Sequence, residues 1–194
     1  MLGKFREKYQ KAIAPMGKAL SKTGLSPNSI TFIATLVSLM SGIAFYLRLI
    51  WLGVLLILVT GLFDMLDGAV ARASGKATRF GAVLDHVLDR YAEYFILLGI
   101  ALGGFVDWYW SVFALFGMIM ASFTRAKAES VGGLASCTVG IAERQEKLLL
   151  IIGGSILEIW VHGALTVAVI SVGFLSHITV AQRLHYTWKK TSGR

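Results

Sequence analysis

Apolar residues run along this chain in long blocks separated by brief polar punctuation, beginning near Ile30 and continuing almost to the carboxyl terminus. Blocks of this length match the ~20 residues that carry a helix across a bilayer, not the one-sided stripe of a soluble helix. The punctuation predicts six spanning helices at about 29–47, 51–72, 78–104, 107–130, 143–160 and 164–188. Arg48 makes a minimal loop, the turn around Gly75-Lys76 joins the second and third spans, and a glycine-rich stretch from 131 to 142 precedes the fifth. Ahead of the first block, Leu2, Phe5, Tyr9, Ile13, Met16 and Leu20 recur at three- and four-residue spacing among Lys4, Arg6, Lys8, Lys11, Lys18 and Lys22. That pattern predicts an amphipathic helix over 1–22 lying in the membrane interface, with Pro15 a candidate break; a basic tail that only fixes topology is the alternative. Gly24-Leu25-Ser26-Pro27-Asn28 reads as a turn, with Asn28 or Ser29 placed to cap the helix after it. The chain thus divides into a juxtamembrane helix, 1–22, and a six-helix membrane domain, 23–194.

Composition agrees with the pattern. Of the 194 residues 56% are hydrophobic and 15% charged, against about 25% charged in an ordinary soluble domain, and the mean hydropathy is +0.68. The fold class is therefore an all-α polytopic membrane protein. One cysteine, Cys137, excludes an internal disulfide framework. The net charge of +8 would suggest nucleic acid in a soluble chain, but the cations gather at alternate ends of the apolar blocks. Of the 19 lysines and arginines, all except Arg48 fall on one side of the arrangement. The positive-inside bias then places both termini on the cytoplasmic face of a multi-pass cell-membrane protein, with no nucleic-acid partner. Trp51, Trp108, Trp110, Trp160 and Trp188 sit near the span ends, where interfacial anchors belong.

The second span breaks the apolar rule where it ends. Asp64 and Asp67 are i,i+3, and Asp85 and Asp89 at the start of the third span are i,i+4, so each pair shares a helix face. A short turn makes the two helices antiparallel neighbours and brings four carboxylates together at the closed end of a hairpin. Packed acids at low dielectric repel one another and are expensive to desolvate. Oxygen-only ligands on rigid helices suit Mg²⁺ or Mn²⁺, and two such ions would form the clamp used in phosphoryl displacement. The competing reading is a buried salt-bridge network with Arg72, Arg79 and Arg90. Gly68 and Gly81, with Ala69 and Ala71, keep the neighbouring surface low, either to admit a ligand or to let helices pack closely. Further along the third span, Gly99 and Gly103 form a G-x-x-x-G spacing that fits a dimer contact or a contact inside the bundle. His86 lies among the acids as a packing or supporting residue, and His162, His177 and His185 form no site.

The run Asp64-x2-Asp67-Gly68-x2-Ala71-Arg72-x8-Gly81-x3-Asp85-x3-Asp89 resembles, at every defining position, the signature of the CDP-alcohol phosphatidyltransferases. The resemblance implies transfer of a phosphatidyl group from a CDP-activated lipid to the hydroxyl of a small polar alcohol, with release of CMP. It implies that Asp64, Asp67 and Asp85 ligate metal, and that Asp89 lies near a second ion and acts as general base. Asp64, Gly68, Ala71, Arg72 and Gly81 would form the CDP site, with Thr78 a hydroxyl contact. Thr31, in the run Pro27-Asn28-x-x-Thr31, would lie near the nucleotide. The resemblance also implies a homodimer whose active sites open to the cytoplasm.

Arg125, Lys127, Arg144 and Arg183 abut the cytoplasmic ends of the later spans. They fit either a site for a phosphorylated alcohol, held by charge-assisted hydrogen bonds, or ordinary positive-inside bias. Arg125 and Lys127 are i,i+2 and diverge on an ideal helix. The run Arg125-Ala126-Lys127-Ala128-Glu129, the glycine-rich loop, and Glu143-Arg144-x-Glu146-Lys147 are similar to the family branch that uses inositol 1-phosphate. That branch holds the phosphatidylinositol-phosphate synthases of actinobacteria and the archaetidylinositol-phosphate synthases of archaea, so the lipid donor is CDP-archaeol or CDP-diacylglycerol. Glycerol 3-phosphate is the alternative acceptor, and serine, which brings no phosphate, fits less well. A transporter would need polar residues along a path through the membrane, whereas these acids cluster at one end.

Overall fold

In the computed structural model, which describes the backbone of residues 6–192 and the side chains of residues 12–192, the elements are all helical. In chain order they are α1 (Arg6–Ser21), α2 (Pro27–Tyr46), α3 (Ile50–Ser74), α4 (Arg79–Leu102), α5 (Trp108–Ser130), α6 (Arg144–Leu157) and α7 (Ala164–Thr191). Leu2, Lys4, Phe5 and Arg194 lie outside the described residues, as do the side chains of Arg6, Lys8, Tyr9 and Lys11. The expected spans correspond to α2–α7 within a few residues. By length and composition α2, α3 and α7 are long and apolar enough to cross a membrane. The other three depart for visible reasons: α4 carries Asp85, Asp89, Arg90 and Glu93, α5 ends in charged residues, and α6 has 14 residues.

Local signals explain most helix ends. Pro27 occupies the first position of α2, where its missing N–H is harmless and its φ is pre-set. The cap is Ser26, not Asn28 or Ser29: its Oγ accepts the Ser29 N–H at 3.1 Å, and the proline places the turn one residue earlier than expected. Gly75 ends α3 in the left-handed region at φ 65°, which a side chain would oppose. Thr78 caps α4, accepting the Gly81 N–H at 2.9 Å. α1 continues through Pro15 without a break.

Cα packing divides the chain into two units, Met1–Gly99 and Ile100–Arg194. In the first, Ile30, Leu66 and Val70 form a core onto which Ile13 and Leu20 of α1 and Phe63 are packed. The apolar face of α1 is thus partly used within the protein, and Gly17 lets its backbone approach Ala69 of α3. α2 and α3 are joined by a hydrogen bond from Ser41 Oγ to the Gly53 carbonyl at 2.9 Å. Gly99 of α4 lies directly on the backbone of Gly42 in α2. The glycine spacing at Gly99 therefore serves a contact inside the bundle, and Gly103 lies beyond the end of α4. In the second unit, α5 and α7 pack through Gly173 against Phe113 and through His177 stacked on Phe113 at 4.5 Å. Buried Glu158 follows α6 and accepts the N–H groups of Gly163 at 3.0 Å and Leu165 at 2.8 Å, anchoring the start of α7. Outward, Phe32, Leu36, Leu39 and Ile43 on α2 and Leu55, Leu58 and Leu62 on α3 remain exposed. Large apolar side chains in rows on the outside are what a surface against lipid requires.

The glycine contact gives a paired test. Gly99→Ala places a Cβ inside the Gly42 backbone, whereas Gly61→Ala enters open space. Overpacking of this kind costs about 1–3 kcal/mol, and alanine in place of a free helical glycine gains up to about 1 kcal/mol. Thermal unfolding in mild detergent should fall by several degrees for Gly99→Ala and hold or rise for Gly61→Ala.

Candidate functional site

The α3–α4 hairpin brings together three of the four signature aspartates. Asp64, Asp67 and Asp85 each offer a carboxylate oxygen, and these oxygens lie within 4.8 Å of one another. Asp67 is the most enclosed, 7% exposed, while Asp64 and Asp85 are half-buried. Thr31 Oγ1 donates to Asp67 Oδ2 at 2.8 Å, so α2 fixes the orientation of a ligand carried by α3. Asp85, Asp89 and the exposed His86 form a second, overlapping group on α4 with donor atoms within the same span. Asp85 thus belongs to both groups. Carboxylates at this separation repel, and an all-oxygen donor set from two rigid helices fits a hard divalent cation. His86 was expected as a packing or supporting residue; its exposure rules out packing and leaves it beside the second group.

The competing arginine network is only partly formed. Arg90 pairs with Glu93 at 2.8 Å and comes within 3.8 Å of Asp89. Arg72 is exposed and folds back over Gly68, where an added Cβ would meet its Nη1 at 3.2 Å. That guanidinium therefore borders an open space.

The space is a cavity of about 230 Å³ whose walls include Thr31, Asp67, Gly68, Ala71, Arg72, Thr78, Gly81 and Asp85. Every residue expected to contact the nucleotide is there except Asp64. Gly81 is needed for its shape, because a Cβ would meet Asn28 Oδ1 at 3.0 Å and Thr78 Oγ1 at 3.1 Å. Two polar residues of the wall, Asn28 and Lys76, went unassigned in the sequence. Asn28 was visible as the residue three before Thr31, one helical turn away; Lys76 sits in a turn whose composition signals only a loop.

The expected acceptor residues lie in the second unit. Arg183 is 8% exposed and donates from Nη1 to the Ala121 carbonyl at 2.6 Å and from Nε to the Val139 carbonyl at 2.9 Å. Two of its donors are therefore spent on backbone. Arg125 donates from Nε to Glu129 Oε1 at 3.1 Å, and the same oxygen accepts the Cys137 N–H at 2.9 Å. Lys127 is exposed and lies over the Phe123 ring at 5.6 Å. α5 stays helical through Ser130, so Arg125 and Lys127 keep their divergent directions. Arg144 is the first residue of α6, behind the Glu143–Glu146 capping box. Buried Cys137 belongs to the loop that Glu129 and Arg183 hold. Lys147, 4% exposed, and Glu129 stood in the sequence only as members of the two motif runs, with no role of their own.

Comparison with known proteins agrees with this geometry. The chain is 38% identical over 190 residues to the archaetidylinositol phosphate synthase of Pyrococcus horikoshii, covering 98% of each chain. Among solved structures it is similar to the phosphatidylinositol phosphate synthase of Mycobacterium tuberculosis with CDP-DAG bound. That match has a TM-score of 0.83 at 29% identity and covers 92% of this chain and 94% of that one. The same enzyme in complex with manganese and citrate matches with a TM-score of 0.82 at 30% identity, covering 90% and 88%. A profile of the CDP-alcohol phosphatidyltransferase family matches residues 25–176, which contain the whole aspartate hairpin and the cavity beside it. The chain belongs to the CDP-alcohol phosphatidyltransferase family.

Proposed function

We propose that the protein transfers the phosphatidyl or archaetidyl group of CDP-diacylglycerol or CDP-archaeol to the hydroxyl of inositol 1-phosphate, releasing CMP. The observation that carries this reading is the junction of a three-carboxylate cluster with a cavity lined by Thr31, Gly68, Arg72, Lys76, Thr78 and Gly81. The inositol 1-phosphate acceptor is supported by similarity to synthases of archaetidylinositol phosphate and phosphatidylinositol phosphate.

Asp64, Asp67 and Asp85 would hold Mg²⁺ or Mn²⁺, with Asp89 beside a second ion. The bound ions would neutralise the pyrophosphate and ease departure of CMP. Thr31 holds the Asp67 carboxylate in one orientation, which removes a rotamer search from ligand binding. Arg72 and Lys76 present cations to the pyrophosphate, and Gly68 and Gly81 leave room for it. Asp89 accepts the proton of the acceptor hydroxyl, whose oxygen attacks the lipid-side phosphorus as the bond to CMP breaks. The lipid chains stay in the bilayer throughout. Arg125, Lys127, Arg144 and Arg183 hold the acceptor phosphate, with Arg183 acting chiefly through the loop it fastens.

The same reading takes α2–α7 as six spans, residues 1–22 as a cytoplasmic interfacial helix and 23–194 as the membrane domain. Both termini and the active site face the cytoplasm, as the charge distribution supports. Trp51, Trp108, Trp160 and Trp188 support the span ends, all four lying exposed near helix termini. A homodimer remains part of the proposal on family resemblance alone. Monomeric protein of full activity in nanodiscs would remove it.

Asp89→Asn should leave CDP-lipid binding within about twofold of wild type and lower kcat at least about a hundredfold, the usual share of a general base. Turnover near wild type would remove the base assignment. For the acceptor, CMP release should be measured with each CDP-lipid against inositol 1-phosphate, inositol, glycerol 3-phosphate and serine. Inositol 1-phosphate should be used and free inositol rejected. Arg144→Ala should weaken acceptor use about tenfold or more, since an unpaired charged partner costs ~2–5 kcal/mol and ~1.4 kcal/mol is tenfold. CDP-lipid affinity should be unchanged in that variant. Preference for glycerol 3-phosphate would change the acceptor and keep the phosphate site; preference for serine or free inositol would overturn both.

A further inference from the structure

Glu129 stands in the last turn of α5, where the carbonyl end of a helix disfavours a carboxylate. Its pairing with Arg125 does not explain it as a stabiliser. The two side chains are 34% and 46% exposed, and an ion pair so open to water adds little. Arginine before acid at i,i+4 is also the weaker order along a helix. What Glu129 does is join two parts of the second unit. Its Oε1 accepts the Arg125 Nε–H at 3.1 Å and the backbone N–H of buried Cys137 at 2.9 Å. Two residues on, the Val139 carbonyl accepts Arg183 Nε at 2.9 Å, and the Ile141 N–H goes to Gln182 at 3.0 Å. Between them Gly140 lies on α7, where an added Cβ would meet Thr179 Cγ2 at 2.6 Å. Residues 137–141 thus run from the end of α5 to α7, with Arg125 tied to one end and Arg183 to the other.

We propose that Glu129 is a positioning residue for the acceptor phosphate, which it serves by aiming Arg125. The inference rests on the reading of Arg125 as one of the groups that hold that phosphate. An arginine on a half-exposed helix end samples many rotamers, and binding must freeze them. Glu129 freezes them beforehand, because its own oxygen is pinned by a backbone donor of the loop. It takes the Nε–H and leaves the far end of the guanidinium open. Among the described residues neither Nη1 nor Nη2 of Arg125 makes a hydrogen bond, and Nε alone carries its ion pair. A planar fork of two terminal nitrogens matches two oxygens of a phosphate dianion.

The test is a double-variant cycle on the full-length protein, with CDP-lipid saturating and inositol 1-phosphate or glycerol 3-phosphate varied, whichever the wild type uses. Glu129→Ala should raise KM for the phosphorylated acceptor about fivefold or more, while KM for CDP-lipid stays within about twofold. Glu129→Gln, which keeps an accepting oxygen at the same reach, should recover most of that loss. In an Arg125→Ala background, Glu129→Ala should add less than about twofold, because the group it aims is gone. A merely structural role would weaken acceptor use by the same factor in both backgrounds. Glu129→Asp, too short to reach both donors, carries the same cycle if Glu129→Ala does not fold. Wild-type acceptor KM in Glu129→Ala or Glu129→Asp would overturn the proposal, as would equal losses in the two backgrounds or a Glu129→Gln variant no better than Glu129→Ala. Arg125→Ala alone separates the two readings. If it raises acceptor KM while Glu129→Ala does not, only the role of Glu129 fails; if it leaves acceptor KM unchanged, the phosphate-site reading of Arg125 fails beneath it.

Discussion

The structure turns on one electrostatic problem, the repulsion among Asp64, Asp67 and Asp85. With carboxylate oxygens inside 4.8 Å of one another, each pair repels by about 3–4 kcal/mol at an effective dielectric near 20. A helical hairpin carrying that load would splay unless the surrounding helices held it. The close approaches of Gly17 to Ala69 and of Gly99 to Gly42, and the bond from Ser41 to the Gly53 carbonyl, supply that restraint. Thr31 then fixes the most enclosed carboxylate. A cation relieves the repulsion, so the strain doubles as affinity for the ligand the chemistry needs.

Much of this was legible in the sequence because the hairpin is local. The four aspartates, the two glycines and the turn lie within one stretch of chain, and helical spacing alone puts the acids on shared faces. The long-range partners were harder to see. Glu93 is one acid in a span already containing Asp85 and Asp89, and its burial and its 2.8 Å contact with Arg90 show only in the folded chain. Lys76 reads as loop composition, although it lines the cavity. The start of α2 was displaced because Ser26, Asn28 and Ser29 are all good caps, and Pro27 decides among them. Gly99 fitted two contacts equally by spacing, and its actual neighbour, Gly42, lies far away in the sequence.

The second unit solves a different problem, holding an irregular glycine-rich loop in place without secondary structure of its own. Buried backbone must find partners, and here charged side chains provide them. Glu129 accepts the Cys137 N–H, Arg183 donates to the Val139 carbonyl, and Gln182 accepts the Ile141 N–H at 3.0 Å. Sequence spacing identified Arg125 and Arg183 as cations of interest but could not reveal that Arg183 serves the loop directly. At the other end of α7, Glu158 does similar work for the helix start.

The central claim is that the three-carboxylate cluster is a divalent-cation site. Mn²⁺ titration of the purified protein in detergent, followed by electron paramagnetic resonance with and without CMP, tests it without reference to turnover. The wild-type protein should bind Mn²⁺ saturably, and Asp64→Asn, Asp67→Asn and Asp85→Asn should each weaken binding about tenfold or more. Mn²⁺ binding unchanged by all three substitutions, or no saturable binding by the wild type, would contradict the account.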